Sequence, residues 1–179
     1  MEVKQKIEEI LRHYRKREIP DANLIPSAVL LPLFYYQEQC HVLFTERSEE
    51  VNAHKGQVCF PGGTYQLSDS SMLQTALREV EEEIDLKAED VEILGELDDI
   101  RTITTDYVIS PFVGFIPYPY PFKANYKEIK EIFSVPLLTL MDETKFRQYS
   151  YEHEGHIIWG ATARILKQFT ELLRPGSRT

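Results

Sequence analysis

The chain has 179 residues, enough for one domain with a sizeable core and short for two. Its 42% hydrophobic and 27% charged residues are ordinary for a globular protein, and a net charge of -9 argues against a general binder of nucleic acid or of anionic membranes. The opening MEVKQKIEEILRHYRKRE has no uninterrupted apolar run, and no segment approaches the ~18 consecutive apolar residues of a membrane span, so a soluble, cytoplasmic protein is the expectation.

Residues 2–17 have Val3, Ile7, Ile10, Leu11 and Tyr14 at helical spacing, which predicts an N-terminal helix within 1–20, broken by Pro20. SAVLLPLFYY (27–36) and HVLFTER (41–47) are rich in β-branched and aromatic residues and read as neighbouring strands separated by the polar QEQC. Pro32 marks a bulge or an edge. QVCF is a short strand that runs into Pro61-Gly62-Gly63, with Cys59 expected in the core. A helix at 71–84, a strand at 91–97 and a strand at 107–116 interrupted by Pro111 follow. KEIKEIFSVPLLTLMD carries both helix and strand signals and stays open. FRQYSYEHEGHIIWG reads as a hairpin turning at Glu154-Gly155, with Trp159 in the core, and 160–174 as a closing amphipathic helix. No repeat or linker divides 1–179, so a single layered α/β domain with a mixed sheet is expected.

The helix at 71–84 poses a charge problem, because Glu79, Glu81, Glu82 and Glu83 crowd into one short segment. At about 100° per residue, Leu73, Ala76, Leu77, Val80 and Ile84 share one apolar arc. Glu79, Glu82 and Glu83 share an adjoining arc, while Glu81 and Arg78 project elsewhere. Like charges at that spacing destabilise a helix by a few tenths of a kcal/mol per pair, and a divalent cation reverses the sign. Hard carboxylate oxygens suit Mg2+ or Mn2+, which bind through a few carboxylates together with substrate phosphates. Just upstream, Gly62 and Gly63 let the backbone pass close to a ligand and leave N–H groups for phosphate oxygens. A carboxylate helix behind a glycine loop reads as a phosphate and metal site. It is not a P-loop, for the chain has no G-x-x-x-x-G-K-[ST].

Arg78-Glu79-Val80-Glu81-Glu82-Glu83 resembles the core of the Nudix box, G-x5-E-x7-R-E-U-x-E-E-x-G-U, at every specified position. The resemblance implies a Nudix α/β/α sandwich with a mixed central sheet and a catalytic strand-loop-helix. It also implies hydrolysis of a nucleoside diphosphate linked to another moiety. Asp85 stands where the box has glycine, and aspartate tolerates the left-handed conformation better than most residues. The upstream Glu is absent: Ser70 and Thr64 occupy the box positions, a shift of one residue from Gly63. That shift, with Asp69 in place of the missing acid, is similar to the coenzyme A pyrophosphatase branch. LFTERSEEVNAHKGQVCFPGG (43–63) resembles the signature of that branch, and IIWGATARIL (157–166) extends the likeness. The implied reaction cuts coenzyme A to 3',5'-ADP and 4'-phosphopantetheine. Another diphosphate such as ADP-ribose or a dinucleotide, and a non-catalytic ligand-binding regulator, are the alternatives.

Under this resemblance Glu79, Glu82 and Glu83 are the metal ligands, Glu79 and Glu83 the most dependable of them. Arg78 braces the glycine loop rather than touching substrate. Arg47, at the end of a strand, is the candidate phosphate clamp, since guanidinium binds phosphate bidentately. Glu128, in NYKEIKEIFSVPL, is the candidate general base, with Glu131 as the alternative. The implied partner is a small nucleotide, with no nucleic acid and no membrane; a homodimer would be unsurprising. Lys55, Arg101 and Lys123 are further candidate phosphate contacts, and His54 lies in the signature loop. Gly56 and Gln57 stand at a loop-to-strand junction, where turn geometry explains them equally well. IPYPYPF (116–122) could offer aromatic faces to an adenine or simply end a strand. His153 and His156 straddle a turn and do not have the spacing of a zinc pair.

Overall fold

In β1 (Ile25–Tyr36) every residue from Ser27 to Phe34 except Val29 is buried, as in a strand covered on both faces. Leu31 and Leu33 point to one side and Ala28, Leu30 and Phe34 to the other. The computed structural model describes residues 2–49, 56–147, 149–174 and 176. Helix α1 (Glu2–His13) precedes β1, and β2 (Gln39–Arg47) follows it through Gln37-Glu38, both at positive φ, a tight turn whose twist suits a hairpin. Then come β3 (Val58–Cys59), β4 (Gly62–Thr64), α2 (Met72–Ile84), β5 (Glu92–Glu96), β6 (Ile100–Arg101) and β7 (Tyr107–Phe115). The chain closes with β8 (Ile129–Pro136), α3 (Leu137–Met141), the small sheet β9 (Phe146–Arg147), β10 (Ser150–His153) and β11 (His156–Ile158), and α4 (Gly160–Leu172).

The main sheet is mixed. β7 lies parallel to β1, and β2 is antiparallel to it on the other side. β8 flanks β2 from outside, while β5 and β6 flank β7. β1 and β2 are registered only through Leu33–Tyr36; beyond that the run 58–64 pairs with both, β3 with β2 and β4 with β1. This wedge carries the glycine loop into the middle of the sheet.

Neither interior proline is at an edge, which corrects the bulge-or-edge reading of Pro32. It lies where the partner of β1 changes from β4 to β2, so no residue is registered to it on that side, while Gly114 of β7 faces it on the other. Pro111 sits at the equivalent gap, between β5, registered to Phe112, and β6, registered to Ile109. In both cases the missing N–H falls where the ladder has no acceptor to satisfy.

Helix α2 covers one face of the sheet through Ala76, Val80 and Ile84. α1, α4 and the small sheet cover the other through Ile7, Leu11, Tyr151, Ile158, Leu166 and Phe169. The result is the expected α/β/α sandwich. Other expectations are amended: α1 ends at His13, the ambiguous 127–142 divides into β8 and α3, and Gln39 and Cys40 join β2. Trp159 is half exposed at the N-cap of α4, because the preceding Ile158 takes the buried position on the hairpin. The hairpin turns at Glu154-Gly155 as read, His153 facing His156. No described helix is long and apolar enough to cross a membrane.

Candidate active site

Helix α2 is closed at both ends by its own sequence. The Ser71 hydroxyl accepts from the Gln74 N–H at 3.1 Å, and Asp85 takes the left-handed C-cap at φ 57°. Aspartate therefore performs the backbone role that glycine has in the box, and Leu86 is buried immediately after it.

The register that buries Val80 and Ile84 also buries Glu83, which is 2% exposed. Periodicity placed Glu83 on the border of the apolar face; the wedge β3–β4 packed against α2 encloses it. Its Oε2 accepts from the Gly62 N–H at 3.1 Å, and its Oε1 lies 3.6 Å from Arg47 Nη1. The Gly62 N–H expected to face phosphate is thus taken by Glu83. Burial pushes the Glu83 carboxyl up to about 8, against the opposing pull of the Gly62 N–H and Arg47. Burial also raises Glu79, opposed chiefly by its hydrogen bond from Arg78.

Arg78 does not project away from the acids. It donates from Nη1 to Glu79 at 2.8 Å and to Glu82 at 3.3 Å, from Nη2 to the Thr64 carbonyl at 3.1 Å, and from Nε to Asp69 at 3.0 Å. Asp69, 4% exposed, also accepts from Gln66 N–H and the Thr75 hydroxyl. The Arg78 guanidinium holds the Asp69 carboxyl well below the usual carboxylate range. Arg78 thereby ties the glycine loop, through β4, to the carboxylate face of α2. A Cβ on Gly63 would overlap the Glu79 carboxylate, so that glycine is required by the acid's position.

Glu128 comes from the turn before β8. The last carbonyls of α2 lack partners within the helix, and this turn supplies them: Lys123 N–H donates to Ile84 O at 3.1 Å and Asn125 N–H to Glu83 O at 2.8 Å. The Asn125 side chain then donates to Glu128 Oε1 at 3.0 Å. Glu128 is close enough to contribute to raising both Glu79 and Glu83. Asn125 opens the NYKEIKEIFSVPL stretch from which Glu128 was read, and the structure gives it the role the sequence left unassigned, orienting that acid.

Arg47 ends β2 opposite Ile129, and its N–H and carbonyl bond Gln57 O and Gly56 N–H, which gives Gly56, at φ 63°, a turn role. Arg47 Nε is buried with no hydrogen-bond partner among the described residues. Glu82 is the outlier of the predicted trio, its side chain 54% exposed and drawn to Arg78. Glu81 pairs with Lys87, Lys123 with Asp85, and Arg101 lies 4.0 Å from Asp21. Lys55 and His54 lie outside the described residues, as does 50–55 of the signature segment.

Glu79, Glu82, Glu83 and Glu128 face two guanidinium groups, Arg47 and Arg78, so the site holds an excess of partly desolvated hard oxygen donors. That donor set fits a divalent cation of the magnesium or manganese class. Among the described residues, the trio with possible ligand atoms all within 4.8 Å of one another is a different one: Glu46, Glu131 and His156. There His156 stacks on Phe133 and places Nδ1 3.2 Å from Glu46, whose other oxygen is held by Lys130. Glu131, the alternative base, belongs to this cluster, 4.0 Å from His156 Nε2. Lysine already supplies the cluster's positive charge.

The NUDIX domain model matches residues 25–151. The chain is 34% identical over 157 residues to an uncharacterized Nudix hydrolase, NudL, of Photorhabdus laumondii, covering 81% of this chain and 83% of that protein. It is 33% identical to NudL of Yersinia enterocolitica, covering 84% and 82%. Among solved structures, the NUDIX domain of Shewanella oneidensis NrtR, complexed with ADP ribose, aligns with a TM-score of 0.61 at 18% identity, covering 93% of this chain and 97% of that one. A MutT/nudix family protein from Enterococcus faecalis aligns at 0.60 and 19% identity, covering 96% and 73%. The two structural likenesses speak to the fold.

Proposed function

The chain belongs to the Nudix hydrolase family, which acts on nucleoside diphosphate derivatives with the aid of divalent metal ions, and on that premise we propose that its substrate is coenzyme A or an acyl derivative, cut to 3',5'-ADP and 4'-phosphopantetheine. One observation carries the branch assignment: Asp69 fills the place of the missing box glutamate and takes Arg78 through Nε at 3.0 Å and Nη2 at 3.1 Å. The signature-like stretch 43–63 supports it.

Hydrolysis of a diphosphate needs neutralised oxygens, an oriented water and a proton acceptor. Glu79 and Glu83, with Glu82 at the rim, are the residues we assign to hold Mg2+ or Mn2+. When bound, such an ion supplies charge neutralisation and makes a coordinated water more acidic. Gly62 N–H and Arg47 fix the Glu83 carboxylate from two sides. Arg78 fixes Glu79 and, through Thr64 O, the loop opposite it. Glu128, oriented by Asn125, accepts the proton of the attacking water. Arg47, its side chain a quarter exposed and its guanidinium beside Glu83, contacts a diphosphate oxygen.

The test is hydrolysis of coenzyme A beside ADP-ribose and NADH, with magnesium, with manganese and with chelator, for wild type and Glu83→Gln. Metal-dependent release of 3',5'-ADP from coenzyme A, abolished in the variant, is the expected result. Turnover of ADP-ribose alone would overturn the substrate and keep the chemistry. Tight nucleotide binding without turnover would overturn catalysis.

A further inference from the structure

A cleft of about 530 Å³ opens on the face of the sheet that carries α2, beyond the end of that helix. Its floor is Phe34, Leu43 and Ile132, and its walls come from the segment after β7, with Tyr118, Phe122 and Tyr126. Tyr118 stacks on Phe34 at 4.5 Å yet remains 43% exposed, and Tyr126 stands at the mouth 77% exposed. Large exposed aromatics beside a cleft this size are poor packing and good recognition surface. By contrast Tyr120 is committed to the fold, its hydroxyl bonding Lys87 N–H at 3.0 Å and Asp90 at 2.9 Å.

The cleft adjoins the candidate active site along the chain, since Lys130 and Glu131, two and three residues past Glu128, line it. The segment that walls it is the one whose Lys123 and Asn125 dock on the end of α2 and whose next turn delivers Glu128. Along β8, Ile132 lies four residues past Glu128, about 13 Å at ~3.3 Å per residue. Arg47, the assigned phosphate contact, is registered with Ile129, three residues before Ile132, so a nucleotide phosphate at Arg47 can reach the aromatic walls with its base. Ser134, its hydroxyl 3.1 Å from His41 Nδ1, adds a polar group on the floor.

The geometry points to this cleft as the subsite for the purine base of the substrate, held by stacking on Tyr118 and Tyr126. The inference rests on the proposed nucleotide substrate but not on coenzyme A in particular. Stacking on an aromatic side chain strengthens base binding by about tenfold, and it tolerates different purines because each offers a π face.

The test titrates AMP, and separately 4'-phosphopantetheine, into isotopically labelled protein, following the resonances of Phe34, Tyr118, Phe122 and Tyr126. AMP is expected to shift them. Tyr126→Ala is expected to weaken AMP about tenfold and to raise the KM of every adenine-containing substrate by a similar factor, with kcat nearly unchanged. Tyr126→Trp restores both. AMP resonances shifting elsewhere, phosphopantetheine shifting these instead, or a Tyr126→Ala protein with unaltered AMP affinity would each overturn the subsite. Coenzyme A turnover with AMP bound elsewhere would sink this inference alone. AMP in the cleft without coenzyme A turnover would sink the substrate assignment and leave the subsite standing.

Discussion

Two adjacent glycines are required for different reasons, Gly62 by the backbone it packs against and Gly63 by an assigned metal ligand. Gly62 has φ +154°, and a Cβ there would overlap the Ala28 carbonyl oxygen and come within 2.6 Å of Val29 Cα, both backbone atoms of the central strand. Neither can yield without moving β1. A disfavoured backbone conformation costs about 1–3 kcal/mol and overpacking a similar amount, so Gly62→Ala is expected to lose about 3 kcal/mol. At this chain length that lowers Tm by roughly 6–12 °C. At Gly63 the obstacle is the far end of a side chain, the Glu79 carboxylate. Gly63→Ala should cost under about 1 kcal/mol while displacing an assigned metal ligand, and a displacement near 1 Å can cost about 100-fold in rate. Urea unfolding at neutral pH in chelator, beside steady-state hydrolysis with magnesium, reads both quantities. A Gly63→Ala protein with wild-type turnover, or a Gly62→Ala protein within about 1 kcal/mol of wild type, would refute the reasoning.

Phe44, fully buried between Phe60 at 5.0 Å and Phe133 at 5.7 Å, should lose about 3–5 kcal/mol on truncation to alanine, read as a fall in the urea midpoint at constant m-value. Asp69 is held below its ordinary pKa by Arg78, so the pair's contribution is present above about pH 4 and fades as pH falls through the depressed value. The stability gap between wild type and Arg78→Gln should therefore be widest near neutrality and close on acidification; a gap independent of pH down to about 2 would contradict that pairing. Chelator should abolish turnover and lower Tm, and Glu83→Gln should make Tm insensitive to added magnesium, both measurable by differential scanning fluorimetry. Asn125→Ala should reduce kcat more than it raises KM, because it frees Glu128 without touching substrate; an unchanged kcat would remove Glu128 or its orientation from the mechanism.

Local rules carried far in this chain. The apolar stripe of α2, the left-handed Asp85 and the Glu154-Gly155 turn depend on neighbours within a few residues, and sequence alone placed them; the helix start read at Ser71 became its N-cap. The same holds for the layered α/β class. Residues 127–142 were ambiguous because β8 is a strand by its pairing with β2, a contact more than eighty residues away in sequence.

What only the tertiary structure decided is which groups meet. The periodicity of α2 predicts a row of three equivalent carboxylates. The wedge of 58–64 between β1 and β2 breaks that equivalence, burying Glu83 against Gly62 and leaving Glu82 in solvent. Arg78 reached into the acids because Asp69 and Thr64 lie on that side of the helix, a fact of loop path rather than of helical angle. Glu128 came to the site because unsatisfied carbonyls at the end of α2 captured the turn that carries it. Spacing along a chain determines the face on which a residue stands. Its charge state, its partners and its freedom to act depend on what the rest of the chain lays against that face.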